Sequence, residues 1–144
     1  LKVGLVDTQE IMSKLPDTAA AQKQLEETSK KYDDEYAKLG EEMKRLYDEF
    51  QKSENDLPAI KERKARELQD YQQKMQQFEQ SAMQDIQKLQ NDLMAPVMQK
   101  VRNAIEAVGK ESGFSLIQEK NYAIYFAAPV VDITPEVKAK LGVK

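Results

Sequence analysis

The chain contains neither His nor Cys, so any acid–base chemistry would fall to its 25 Asp and Glu residues. The usual general base and the best side-chain nucleophile are both missing. Carboxylates become catalytic when they converge on one pocket. Here they recur at helical spacing among 22 Lys and Arg residues. Five acid-to-base pairs stand four residues apart: Glu26–Lys30, Glu27–Lys31, Asp34–Lys38, Glu41–Arg45 and Asp48–Lys52. Each has the acid first, the order that supports a helix, and is expected to add ~0.2–0.5 kcal/mol. That is the pattern of a solvated helix face. No Gly-rich phosphate loop, zinc-ligand spacing or calcium loop occurs. The residues therefore predict a protein that is not an enzyme, with no catalytic residues, metal or cofactor.

Composition narrows the remaining classes. Of 144 residues, 33% are charged and only 7% aromatic, and the formal net charge is −3. This balance suits long helices or a coiled coil in one structural unit. It argues against general nucleic-acid binding, which needs clustered Lys and Arg to neutralise phosphates. No apolar run approaches the ~18 residues of a membrane span. The absence of Cys leaves the redox compartment open. The first residue is Leu1, which is what removal of a signal peptide or a trimmed start would leave, so an upstream segment is expected to have been removed.

Periodicity supplies the elements. "KVGLVD" (2–7) reads as a strand, "IMSKLP" as about one helical turn, and Pro16–Asp17 as a new helix start. Leu25, Ser29, Tyr32, Tyr36, Leu39, Met43, Leu46 and Phe50 alternate steps of four and three, a heptad seam. Gly40 is its weak link, at about 1 kcal/mol relative to Ala. "SENDLP" (53–58) predicts a turn. A second helix then carries Tyr71, Met75, Phe78 and Ala82 at heptad spacing, after which Ile86, Leu89, Leu93, Val97, Val101 and Ile105 fall mostly four apart. Such a change is a stutter, which unwinds a supercoil locally. So short a turn predicts an antiparallel coiled-coil hairpin over 17–96, with Pro96 near the point where it meets a different packing environment.

Gly109 and Gly113 are expected to end the long helix. "FSLIQE" (114–119) and "YAIYF" (122–126) predict a β-hairpin closed by a Lys120–Asn121 turn. A last helix should begin with Thr134 as N-cap and Pro135 at its first position, and stop at Gly142. The fold class predicted is mainly α with a small β body (α+β): residues 1–16 and 97–144 form the body, and the helical arm is inserted between its strands. Short strands with two apolar faces need cover, and another copy of the chain would supply it. Val3, Leu5, Phe114, Leu116, Ile117, Tyr122, Ile124 and Phe126 are the residues expected to build that body.

Contact chemistry remains for the arm. Seam aromatics Tyr32, Tyr36 and Phe50 should pack helix on helix. Off the seam, Tyr47 and Met83 could touch a bound chain, Met being flexible and polarisable; the plain alternative is scattered surface hydrophobes. Lys61, Arg63, Lys64 and Arg66 give the tip a local basic excess that could meet carboxylates of a partner or an anionic membrane surface. Interleaved Glu62 and Glu67 favour a simple solvated face.

Three segments carry a resemblance: "VGLVDTQEIM" at the start, "APVMQKVRNAIEAVGKESGFSLI" at the end of the long helix, and "VVDITPEVKAKLG" at the close. Over essentially its whole length the chain resembles the Skp/OmpH family of periplasmic chaperones. That resemblance implies a homotrimer in which a small β body bears three helical arms around a cavity. It also implies an ATP-independent holdase that keeps unfolded outer-membrane proteins from aggregating on their way to the outer membrane. A structural coiled-coil spacer or adaptor is the alternative.

Overall fold

A computed structural model describes all residues, 1–144. In chain order it contains β1 (Val3–Val6), α1 (Thr8–Lys14), α2 (Pro16–Lys52), α3 (Pro58–Ser112), β2 (Leu116–Glu119), a short 3-10 turn (Lys120–Tyr122), β3 (Val131–Asp132) and α4 (Thr134–Leu141). It divides into two compact units: Leu1–Lys23 with Gln90–Lys144, and Gln24–Leu89. No helix is long and apolar enough to cross a membrane.

The first unit has a core. Its sheet is ordered β2-β1-β3, and both outer strands run parallel to β1. Val6, Ile11, Leu15, Val97, Val101, Ala104, Val108, Ile133 and Val137 are buried together. The four-residue steps of Val97 and Val101 place them on one face of α3, toward β1, α1 and α4. Close approach is built in by glycine. A Cβ on Gly4 would lie 3.0 Å from the Phe114 ring, and one on Gly109 only 2.9 Å from Ile117 Cδ1. Gly109 thus lies inside α3 as a contact point, and only Gly113, at φ +72°, follows the helix end.

Polar groups tie together the strand ends. The Asp7 side chain caps α1 by accepting from the Glu10 N–H at 3.1 Å. The Thr8 hydroxyl donates to the Glu119 carboxylate at 2.7 Å. Thr134 Oγ1 accepts from the Asp7 N–H at 2.9 Å and donates to Asp132 Oδ1 at 2.6 Å. Lys120 Nζ donates to the other Asp132 oxygen at 2.9 Å.

The predicted β-hairpin does not form. A tight two-residue turn of type I′ needs positive φ at both central positions, and no non-glycine residue in this chain has it. Lys120–Tyr122 instead winds into the 3-10 turn, closed by the Ala123 N–H on the Lys120 carbonyl. Both edges of β1 are already taken, by β2 and β3. The outer edge of β2 stays unpaired, and Tyr122, Ile124 and Phe126 belong to no strand of this chain. Nor is Thr134 the N-cap: its hydroxyl is committed to Asp7 and Asp132, and Asp132 Oδ1 receives the Thr134 N–H at 3.0 Å. Gly142, at φ +77°, does terminate α4.

The second unit consists of the facing parts of α2 and α3. Tyr32 and Tyr36 both pack on Phe78, with ring centroids 5.9 and 6.5 Å apart. Tyr32 also donates its hydroxyl to Asp85 at 2.5 Å. At the turn, Ser53 is fully buried and donates its hydroxyl back to the Phe50 carbonyl at 2.6 Å. The Leu57 carbonyl accepts from the Ile60 and Lys61 N–H groups as α3 begins at Pro58. Surface ion pairs choose partners other than those the spacing suggested. Lys38 turns to Glu35, and Arg45 bridges Glu42 and Glu49. Several acids lie within reach of each flexible cation, and exposed pairs differ little in energy.

Two outcomes test this packing. Ile11 is completely buried, so Ile11→Ala should lower stability by about 2–5 kcal/mol in urea unfolding. A loss below ~1 kcal/mol would mean that the site is not packed as described. The second concerns acid. Burial alone would raise the Asp132 carboxyl, but hydrogen bonds from Thr134 and Lys120 outweigh it and hold it below its ordinary value. A lowered folded value means stability that is present above the unfolded value of about 3.9 and lost as pH falls through the folded one. Asp132→Asn should cost roughly 1–2 kcal/mol near neutrality and flatten the fall in melting temperature below about pH 4. An unchanged acid profile in the variant would contradict this role.

Candidate binding surface

The seam of the second unit is underfilled at one level. Ser29 and Ala82 occupy seam positions with small side chains, where their neighbours are Tyr32, Phe78 and Ile86. An open groove of about 530 Å³ results, lined by these residues together with Tyr36, Met83, Gln87 and two acids, Asp33 and Glu79. Hydrogen bonding to Asp85, with a smaller contribution from burial, raises the Tyr32 phenol above its ordinary value.

Met83 lies at this groove and is 68% exposed. Tyr47 is exposed too, but lies outside the groove, with its hydroxyl accepting from Gln51 Nε2 at 3.0 Å. The four basic residues near the turn have acidic neighbours: Arg63 pairs with Glu67 at 3.9 Å and Lys64 with Asp56 at 3.6 Å. Lys61 and Arg66 form no ion pair. Leu57 and Ile60 add exposed apolar surface beside them. The groove itself was not singled out by periodicity. Its signal was present in the small seam residues, one on each helix, with acids beside the aromatic positions.

In the first unit, the residues expected to build the body fall into two groups. Leu5 is buried, Phe114 lies under Lys2 Nζ at 4.4 Å, and Ile117 packs against the core with Val3 half-buried beside it. Leu116 is exposed on β2. Tyr122, Ile124 and Tyr125 are 87%, 104% and 84% exposed, with Phe126 less so. Such a run of apolar side chains is far from the isolated exposed Leu that ordinary surfaces tolerate.

Comparison with known proteins follows the same outline. A family model described as outer membrane protein (OmpH-like) matches residues 2–141. Among solved structures, the fold is similar to that of a candidate OmpH-like outer membrane chaperone from Caulobacter crescentus CB15. The TM-score is 0.82 at 15% sequence identity, covering 98% of this chain and 84% of that one. A search of curated proteins gives no match. With the family pattern spanning the strands, the long helices and the closing helix alike, this chain belongs to the OmpH-like outer membrane protein family.

Proposed function

We propose that the chain is the protomer of a homotrimeric, ATP-independent holdase. It binds unfolded outer-membrane proteins in the periplasm and prevents their aggregation. One observation carries this reading: no apolar side chain between Gln24 and Leu89 is fully buried. These residues form an antiparallel coiled-coil arm with no core of its own, and its apolar seam stays half open along both helices. A protein that must hold many unfolded sequences weakly needs that kind of surface. Each contact is worth little, and the sum depends on several arms acting on one client. Family membership and the fold shared with a candidate chaperone support the same reading.

The trimer is the finer part of the proposal. Residues 122–126 have no partner strand within the chain and present large apolar side chains to water. Pairing with neighbouring copies would cover them, in a closed symmetric assembly with no free strand edges.

Two outcomes follow. The protein should keep a denatured β-barrel outer-membrane protein soluble at near-stoichiometric ratio, by light scattering, without nucleotide. A spacer protein would leave the aggregation rate unchanged. Ile124→Asp should place a charge in the interface and dissociate the assembly at micromolar concentration by sedimentation. An unaltered trimer in that variant, or a monomeric wild type, would contradict the assembly.

A further inference from the structure

We infer that the groove between Ser29 and Gln87 docks an extended segment of unfolded polypeptide carrying Lys or Arg next to aromatic or aliphatic residues. This rests on the holdase reading and names what the arm selects within it. The groove has an apolar floor and a rim of one sign. Tyr32, Tyr36, Phe78, Ala82 and Ile86 supply the floor, whereas Asp33 and Glu79 are its only charged lining residues. Neither carboxylate forms an ion pair within the chain, and Lys30, three residues before Asp33, is taken by Asp34. No cation lines the groove.

The surrounding helix strengthens that field. Stretches 24–41 and 75–89, which contain and flank the groove, carry 8 Asp and Glu against 4 Lys and Arg. By contrast, the first unit carries 10 Lys and Arg against 9 Asp and Glu. The negative charge of the protein is therefore concentrated around this groove.

Such a site discriminates by what each occupant leaves unpaired. A purely apolar segment would cover the rings but strip water from two carboxylates without replacing it. An acidic segment would add like charge to that cost. A Lys or Arg side chain lays its aliphatic stem along the apolar floor and keeps its charged head at the rim. Tyr36 and Phe78 can offer ring faces to the same cation. A volume near 530 Å³ matches a few side chains rather than a folded domain. Met83, exposed at the mouth, adapts to different neighbours.

The test uses the full-length protein and three short labelled peptides. Each alternates Phe with a second residue: Arg, its neutral isostere citrulline, or Glu. Fluorescence anisotropy at low salt should show the Arg peptide binding roughly tenfold more tightly than the Glu peptide, with citrulline between them and the preference shrinking as salt rises. Asp33→Asn with Glu79→Gln, both at exposed helical positions, should reduce the ratio to about twofold while helix content by circular dichroism is unchanged. A photo-crosslinking side chain at Met83 should capture the Arg peptide. Equal binding of all three peptides, a preference untouched by the double variant, or capture of a second copy of the chain at Met83 would each overturn the inference. Aggregation suppression of a denatured outer-membrane protein, assayed in parallel, separates the two readings. Suppression without any Arg preference sinks the groove assignment and leaves the holdase. Arg preference without suppression keeps the groove as a peptide site and sinks the holdase.

Discussion

Two helices lying side by side can cover only the stripe that each turns toward the other, and each stripe keeps one flank in water. That geometric limit governs residues 24–89. Tyr32 and Tyr36 reach Phe78 across the pair, yet no third layer closes over them. Complete burial of apolar side chains begins only where a sheet and further helices join α3, at Val97, Val101, Ala104 and Val108. Since burial of apolar area is the main favourable term in folding, the two units draw on different sources of stability. The first is held by packing. The second relies on helix propensity and a half-covered seam.

The same limit fits the proposed role of the second unit. On the proposed holdase reading, a surface that cannot satisfy itself would remain available to an unfolded chain, while charges on its outer faces keep it solvated. The groove at Ser29 and Ala82 is the local extreme of this condition, because small residues at the seam leave even the covered stripe incomplete. On the inference drawn above, the acidic rim would then decide which segments gain by entering.

Long-range order was legible where periodicity is strong. The seam from Leu25 to Phe50 and the turn before Pro58 follow from spacing, because a helix repeats its side-chain direction over many residues. Short elements gave less. "YAIYF" has strand composition, but composition cannot say which chain will pair with it, and β1 accepts β2 and β3 in parallel instead. Gly109 looked like punctuation from sequence, whereas its role is set by Ile117, a neighbour eight residues on that only the fold brings close. Thr134 has the right chemistry for a cap, yet its hydroxyl goes to Asp7, across the sheet. Each of these depended on a tertiary partner. Ion pairs such as Arg45 with Glu42 and Glu49 failed for another reason: exposed side chains choose among near-equal partners.

In the proposed assembly, residues 122–126 are covered by other copies of the chain, whereas 24–89 are not covered by anything fixed. Hydrogen exchange on the assembled protein tests both halves at once. The amides of Ala123 to Phe126 should exchange slowly in the assembly and become fast on dilution to protomers. Those around Tyr32 and Phe78 should stay fast in both states and slow only when a denatured outer-membrane protein is bound. Fast exchange at 123–126 in the assembled protein, or arm protection indifferent to bound client, would contradict it.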